Sequence, residues 1–245
     1  MKILGIGNAI VDVICKVDDQ YLINNQLTKS TMKLVDEVEF KKLLSTLKIE
    51  QTISGGSVAN SIVGLSQLGN DVGFIGKVSF DDLGQKYEEG LTKEKVKYFY
   101  SKKDEILPTG TCLILITPDA ERSMSTFLGA SVKFNINSIN EDLITNSKLL
   151  YIEGYLFDQP EAKKAIYHCC RLAKDKNIQI AFSLSDLFCV ERHRNDFLNL
   201  IVEYIDIIFA NEEEIKNLYQ SNLNDCIQLI QSDVAVVPFG KFVCL

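Results

Sequence analysis

The sequence predicts an α/β protein with a mostly parallel central sheet, helices on both faces and a small second β-sheet beside it. Short apolar runs, typical of buried strands, alternate along the chain with amphipathic stretches at helical spacing. Two regions, 11–35 and 98–128, break this alternation with β-rich runs. Of the 245 residues, 46% are hydrophobic and 24% are charged, which is typical of a globular chain with a sizeable core.

Six apolar runs predict the strands of the central sheet, and the stretches between them predict its helices. The strands are expected at 2–6, 72–75, 149–152, 178–184, 205–209 and 234–237. The helices are expected at 36–48, 55–68, 82–90, 160–176, 189–204, 211–219 and 224–231. The first of these helices opens with a capping box, Asp36-x-x-Glu39, and Gly69 is expected to end the second in a left-handed conformation.

The β-rich regions predict a small sheet that could act as a lid. Its strands are expected at 11–17 with 32–35, and at 111–117 with 123–128, with no helix between the members of a pair. The run 93–103 is predicted to be a solvated charged face. A sheet placed beside the carboxyl ends of parallel strands would cover the pocket that usually forms there. We therefore expect one domain, 1–245, with its lid contributed by about 11–35 and 98–128.

Charge and cysteine content exclude several classes of protein. The net charge of −7 argues against nucleic acid as a partner, because phosphate backbones require basic stripes. Seven cysteines without a Cys-x-x-Cys pair argue against a disulfide framework or a zinc site and favour a reducing compartment. No signal-peptide pattern and no apolar run long enough to span a bilayer is present, which predicts a cytoplasmic protein without a membrane partner.

The first motif, Gly5-Ile6-Gly7-Asn8-Ala9-Ile10-Val11-Asp12, follows the first strand. Ile10 stands where a dinucleotide-binding fingerprint requires its third glycine, and the next residues favour a strand rather than a helix. A dinucleotide-binding protein is therefore a weaker hypothesis. Asp12, with Asn8 near it, could accept hydrogen bonds from sugar hydroxyls, or the two residues could only shape a turn.

Paired glycines open the second motif, Gly55-Gly56-Ser57-Val58-Ala59-Asn60. They let a ligand approach the backbone, and Asn60 in the first helical turn can both donate and accept hydrogen bonds. An ordinary strand-to-helix turn is the alternative. In the third motif, Asn211-Glu212-Glu213-Glu214, the helix dipole alone explains the acidic residues. Alternatively, Asn211 and Glu214 hold water around Mg²⁺.

These three motifs, in this order and spacing, resemble the ribokinase (PfkB-type carbohydrate kinase) family over nearly the whole chain. Glu121-Arg122-Ser123 and the run Tyr151 to Leu156 resemble its adenosine-kinase branch. The resemblance implies a three-layer fold with a β lid, and transfer of the γ-phosphoryl group of ATP to a sugar hydroxymethyl group. Its implied acceptor-binding residues are Asn8, Asp12, Gly55, Gly56, Asn60 and Tyr155.

On the phosphate side, the resemblance implies that Arg122 stabilises the transferred phosphate. Asn211 and Glu214 would serve ATP and Mg²⁺, with Glu214 reaching the metal through water. The family's Gly-Ala-Gly-Asp segment, which carries the catalytic base, has no counterpart in residues 1–245. Where adenosine kinases often have an aromatic pair next to the base, this chain has Tyr155-Leu156. Adenosine, another nucleoside and a sugar therefore all remain candidates for the acceptor.

The sequence therefore predicts a kinase domain whose C-terminal part is missing. A non-catalytic fragment that still binds a sugar or nucleoside is the alternative. An uncovered sheet edge would lower stability or cause self-association, and a homodimer through the lid is a further expectation.

Overall fold

The computed structural model describes residues 1–99, 106–229 and 234–236. Its strands are β1 (Ile3–Ile6), β2 (Ile10–Lys16), β3 (Met32–Leu34), β4 (Ile49–Gly55), β5 (Val72–Ile75), β6 (Lys97–Phe99), β7 (Gly110–Ile116), β8 (Arg122–Phe127), β9 (Leu149–Glu153), β10 (Gln179–Ser183), β11 (Ile207–Phe209) and β12 (Val234–Val236). The helices are α1 (Asp19–Asn24), α2 (Glu37–Leu44), α3 (Ser57–Gln67), α4 (Asp82–Lys93), α5 (Glu141–Thr145), α6 (Pro160–Asp175), α7 (Leu187–Tyr204), α8 (Glu212–Tyr219) and α9 (Leu223–Leu229).

The large sheet has seven parallel strands in the order β12-β11-β10-β9-β1-β5-β6. Helices α3 and α4 cover one face around Ile62 and Phe74. On the other face, α6 and α7 bury Ile166, Phe182 and Phe197. Strands buried on both faces must be apolar throughout, which is why these runs could be recognised in the sequence. The predicted fold class is confirmed.

The small sheet has five strands in the order β3-β8-β7-β2-β4, with both parallel and antiparallel pairs. Four of its strands join the rest of the molecule at one end, which we call the root, where Ile10 pairs with both Gly55 and Gly110. At the opposite end, the tip, Ile116 pairs with Lys16 and Arg122. The root adjoins the carboxyl ends of the large-sheet strands, so this sheet is placed to cover them.

Side chains alternate between the two faces of the small sheet, as in any β-strand. Val13, Cys15, Leu113 and Leu115 point to one face and bury a separate core against α1 and α2. The other face, which carries Asp12, looks toward the large sheet. The small sheet therefore has a core of its own on one side and leaves the other side free to line a site.

Three predictions about local structure were wrong. Helix α2 ends at Leu44 instead of continuing to 48, and the next residues form β4, which was not predicted. Strand β4 is an edge strand whose side chains are mostly polar and exposed, so it lacks an apolar signal. Helix α1 lies between two strands that were expected to have no helix between them. Strand β6, within the predicted lid range, pairs with β5 in the large sheet.

The prediction for Gly69 is confirmed: its φ is +86°, and it follows Leu68, the C-cap residue of α3. Over the described ranges, none of the helices is both long and apolar enough to cross a membrane. The predicted features of residues 100–105 and of the chain end beyond 236 lie outside the described residues.

Candidate functional site

A cavity of about 230 Å³ lies between the small sheet and the carboxyl ends of the large-sheet strands. Its two walls differ in chemistry. The small sheet and the segment after it supply a mostly apolar wall, formed by Ile10, Asp12, Met32, Leu34, Cys112, Ile114, Met124, Thr126 and Leu128. The opposite wall is mostly polar and is formed by Asn8, Gly56, Ser57, Asn60, Glu153, Tyr155 and Asp158.

Asp12 is the charged residue of the small-sheet wall. It lies in β2 beside Gly55 of the neighbouring strand, whose missing side chain leaves room for the carboxylate. Burial raises the pKa of Asp12 to about 6, while the charge of Arg122 lowers it. A carboxylate with little solvent around it forms strong hydrogen bonds to hydroxyl donors.

The turn at Gly56 brings the polar wall close to the ligand space. Gly56 has φ of +100° and precedes the first residue of α3, and a side chain there would overlap the carbonyl oxygen of Asn8. Asn60 lies in the first turn of α3 and lines the same cavity. Five of the six predicted acceptor-binding residues therefore line one cavity, and the sixth, Gly55, makes room for Asp12.

Glu153 holds this wall together and was missed as a site residue. One carboxylate oxygen accepts a hydrogen bond from the backbone N–H of Asn8 at 2.8 Å, and the other accepts from that of Val58 at 3.0 Å. Complete burial raises its pKa to about 7, against the effect of these two hydrogen bonds. The sequence signal was an acidic residue that ends an apolar strand, at the edge where ligands bind.

Tyr155 follows on a 3-10 helix, Gly154–Asp158, at the end of β9. Its ring hydroxyl donates to the carbonyl oxygen of Ser185 at 3.4 Å, and its backbone N–H donates to the Ser185 hydroxyl at 3.3 Å. Burial raises the pKa of the phenol far above its usual value. Tyr155 therefore stays a neutral aromatic wall over the accessible pH range.

Arg122 does not line the cavity. It is exposed at the tip of the small sheet, four residues along the strand from the row that contains Asp12. Its positive charge nevertheless reaches Asp12, because it lowers the pKa of that carboxyl group. A phosphate contact from this residue remains a prediction.

Asn211 and Glu214 form a capping box at the start of α8. Glu214 accepts hydrogen bonds from the backbone N–H and the side-chain amide of Asn211 at 3.0 and 2.7 Å, and its own N–H donates to the Asn211 side chain. Burial raises the pKa of Glu214. Each carboxylate oxygen keeps a second lone pair, which leaves room for a hydrogen bond from a water molecule held by Mg²⁺.

The fold and the cavity define an α/β protein with a cavity beside the carboxyl ends of parallel strands, where proteins of this class bind their ligands. More particularly, the chain belongs to the family described as pfkB family carbohydrate kinase, whose model matches residues 7–239. The resemblance seen in the motifs is thereby confirmed.

Among proteins of known function, the chain is 26% identical to adenosine kinase 2 of Arabidopsis thaliana over 225 residues, covering 87% of this chain and 63% of that relative. It is 30% identical to 5-dehydro-2-deoxygluconokinase of Clostridium beijerinckii over 188 residues, covering 72% of this chain and 54% of that relative. The chain thus spans less than two thirds of the length of both.

Two crystal structures are similar over most of this chain. A probable sugar kinase from Rhizobium etli superposes with a TM-score of 0.90 at 38% identity, covering 96% of this chain and 73% of that one. The adenosine kinase from Sinorhizobium meliloti gives a TM-score of 0.91 at 36% identity, with the same coverage.

Proposed function

We propose that this chain carries the acceptor-binding site of an ATP-dependent kinase that phosphorylates a hydroxymethyl group of a nucleoside. The observation that supports this most directly is that Asp12 and Asn60, which are far apart in the sequence, line one cavity beneath the small sheet. A carboxylate and an amide on facing walls suit adjacent ribose hydroxyls, which both donate and accept hydrogen bonds. The small sheet would then act as the lid of a single domain.

The apolar wall favours a nucleoside over a free sugar. Ile10, Ile114 and Met124 present side chains without a hydrogen-bond donor or a strong acceptor to the cavity. A free sugar carries hydroxyls all round, and those facing this wall would lose their water partners without replacement. A nucleobase has flat apolar faces that can cover the wall. The adenosine kinases among the similar proteins agree with this choice, whereas the gluconokinases keep a sugar as the alternative.

The phosphate side of the proposal rests on Arg122, Asn211 and Glu214. ATP would supply the phosphoryl group, and Glu214 would contact Mg²⁺ through water, next to Asn211. Arg122 would add positive charge near the transferred group once the small sheet closes.

Proton removal from the acceptor hydroxyl needs a base, and the family's Gly-Ala-Gly-Asp segment has no counterpart in residues 1–245. The role we assign to these residues is therefore acceptor binding, and a binding protein without phosphotransfer is the second candidate. A phosphotransfer assay with ATP, Mg²⁺ and a nucleoside distinguishes the two: turnover above the rate without protein establishes the kinase.

The binding proposal is tested by calorimetry with adenosine and with ribose. We expect adenosine to bind more tightly than ribose, and Asp12→Ala to weaken adenosine binding at least 10-fold, since hydrogen bonds to a charged group contribute about 1.5–3 kcal/mol. Asp175→Ala, which removes an exposed carboxylate at the end of α6, is the matched control and should bind as the unmodified protein does. Equal binding by the Asp12 variant would refute the role of the cavity.

A further inference from the structure

Asp158 is a cavity residue to which neither the motifs nor the proposed function assigns a role. It is the last residue of the 3-10 helix that carries Tyr155, and its side chain is 14% exposed. Arg192 donates to both of its oxygens, from Nε to Oδ1 at 2.9 Å and from Nη2 to Oδ2 at 2.8 Å. His193 Nε2 lies 2.6 Å from Oδ1.

The backbone of α7 is distorted where it meets this carboxylate. His193 has φ of −120° and ψ of 21°, values that interrupt the helix. Adjacent residues on a regular helix point in directions about 100° apart and do not face one partner. The kink allows both Arg192 and His193 to contact Asp158. Behind His193, Asp196 lies 4.0 Å from Nδ1 and is itself paired with Lys163 at 2.7 Å.

A count of lone pairs shows what the carboxylate can still do. Because a carboxylate only accepts hydrogen bonds, His193 Nε2 must be a donor to Oδ1. Oδ1 therefore has two donors, from Arg192 and His193, whereas Oδ2 has one. One acceptor position remains, on Oδ2, in a side chain that lines the cavity. Asp158 is thus a fixed acceptor with room for one more donor.

The other two carboxylates of the cavity, Glu153 and Asp12, differ from Asp158 in position and in hydrogen-bond partners. Glu153 is only 1% exposed, and both of its oxygens already accept backbone N–H groups, so it offers little surface to a ligand. Asp12 lies on the opposite wall beside Gly55. Asp158 shares its 3-10 helix with Tyr155, an aromatic side chain suited to a nucleobase. Two free acceptors on separate walls match the two polar parts of a nucleoside, the ribose hydroxyls and the base edge.

We propose that Asp158 is a specificity residue whose Oδ2 accepts a hydrogen bond from an N–H group of the nucleobase. The inference rests on the proposed function and extends it, because it selects bases with such a donor over bases without one. The competing interpretation is that the contacts with Arg192 and His193 only tie the 3-10 helix to α7.

The test compares nucleosides whose base carries an N–H donor with one whose base carries none, and the adenosine and purine riboside pair differs in this donor alone. Adenosine carries an exocyclic amino group, inosine carries an N1–H, and purine riboside carries neither. In calorimetry on the unmodified protein, adenosine or inosine should bind more tightly than purine riboside. Asp158→Ala should weaken that tighter nucleoside about 10-fold and change purine riboside less than 2-fold, since one hydrogen bond to a charged group is removed.

Two further variants separate recognition from folding. Arg192→Gln removes the two hydrogen bonds from Arg192 to Asp158 but keeps the carboxylate and its contact with His193. The ratio of the affinity for the donor-bearing nucleoside to that for purine riboside should therefore stay within about 2-fold of the unmodified value. Asp158→Asn keeps the size of the side chain. Oδ1 faces two donors and Oδ2 faces one, so the amide oxygen should take the Oδ1 position and the NH₂ group that of Oδ2, opposite Arg192 Nη2. The preference for the base donor is then lost even if Asp158→Ala does not fold.

An unchanged affinity ratio in both Asp158 variants, with purine riboside still bound, overturns this inference and leaves the proposed function intact. If the unmodified protein binds ribose but no nucleoside, the proposed function fails, and the inference fails with it.

Discussion

The carboxylate of Asp12 occupies the space that a side chain at Gly55 would need. A Cβ at Gly55 would overlap this carboxylate, and even Oδ1, its most distant atom, would lie only 2.6 Å away. The two residues are diagonal neighbours on β2 and β4, because Asp12 pairs with Ile53 and Gly55 pairs with Ile10. The first glycine of the pair is therefore a condition for the position of the acidic group rather than a contact for the ligand.

Gly55→Ala should displace the Asp12 carboxylate and weaken nucleoside binding at least 10-fold, at a cost in unfolding free energy of about 1–3 kcal/mol from overpacking. Calorimetry and chemical denaturation measure the two effects. Gly64→Ala is the control, because its Cβ would meet nothing within 4 Å in the middle of α3. It should leave binding unchanged and stabilise the protein by about 0.4–1 kcal/mol. Normal binding by Gly55→Ala would show that Asp12 does not need this space.

Binding should depend on pH through Asp12. Its pKa is raised to about 6, and the ionised form is the better acceptor for hydroxyls, so nucleoside affinity should rise between pH 5 and pH 7. Because Arg122 lowers this pKa, Arg122→Gln should move the midpoint of the rise to higher pH, whereas Arg171→Gln on the exposed side of α6 should not. Calorimetry across this pH range measures the affinity. An identical midpoint in the Arg122 variant would contradict the effect of Arg122 on the pKa of Asp12.

Glu153→Ala should destabilise the protein and loosen the cavity. The substitution leaves the N–H groups of Asn8 and Val58 without an acceptor in a buried region. Each unsatisfied group should lower the free energy of unfolding by about 1–3 kcal/mol. Thermal and chemical unfolding measure the loss, and nucleoside affinity should fall with it. Glu161→Gln, an exposed change in the first turn of α6, provides the control and should be neutral within about 0.5 kcal/mol.

The same carboxyl group should make stability depend on pH. Its pKa is about 7 in the folded protein and 4.5 ordinarily, so the folded state binds more protons between these values. Its contribution to stability is therefore greatest below about pH 4.5 and declines as pH rises to about 7. Glu153→Gln removes this titration, and the difference in Tm between pH 5 and pH 7.5 should shrink relative to Glu161→Gln. An unaltered pH dependence would mean that Glu153 does not titrate in this range.

Cys112 should resist alkylation although it lines the cavity. Burial and the neighbouring charge of Asp12 raise its thiol pKa to about 12, so almost no thiolate exists near neutral pH. Mass spectrometry after treatment with iodoacetamide at pH 7.5 should find Cys112 unmodified in the folded protein and modified in guanidinium chloride. Rapid modification of the folded protein would show that this face of the cavity is open to solvent.

The central sheet and several residues of the cavity could be predicted from the sequence, because their signals are local. Continuous apolar runs mark doubly covered strands, and Asp12, Gly56 and Asn60 follow such strands or glycines directly. Strand β4 could not be predicted, since an exposed edge strand requires no apolar pattern.

Glu153 and Asp158 escaped prediction for a different reason. Their partners are distant in the sequence: 145 residues separate Glu153 from Asn8, and 34 separate Asp158 from Arg192. Contacts of this kind are set by tertiary packing and leave no local pattern. A buried acidic residue at the end of an apolar strand is the one signal that could have pointed to Glu153.

Because the small sheet is attached at its root, a tilt of the sheet moves its tip further than its root. If it tilts about its root, displacement grows with distance along the strands at about 3.3 Å per residue. Asp12 lies two residues from Ile10 in the root row and Arg122 lies in the row six residues away. A tilt of about 10° therefore moves the first by about 1 Å and the second by more than about 3 Å. A small change of angle therefore moves Arg122 several times further than it moves Asp12.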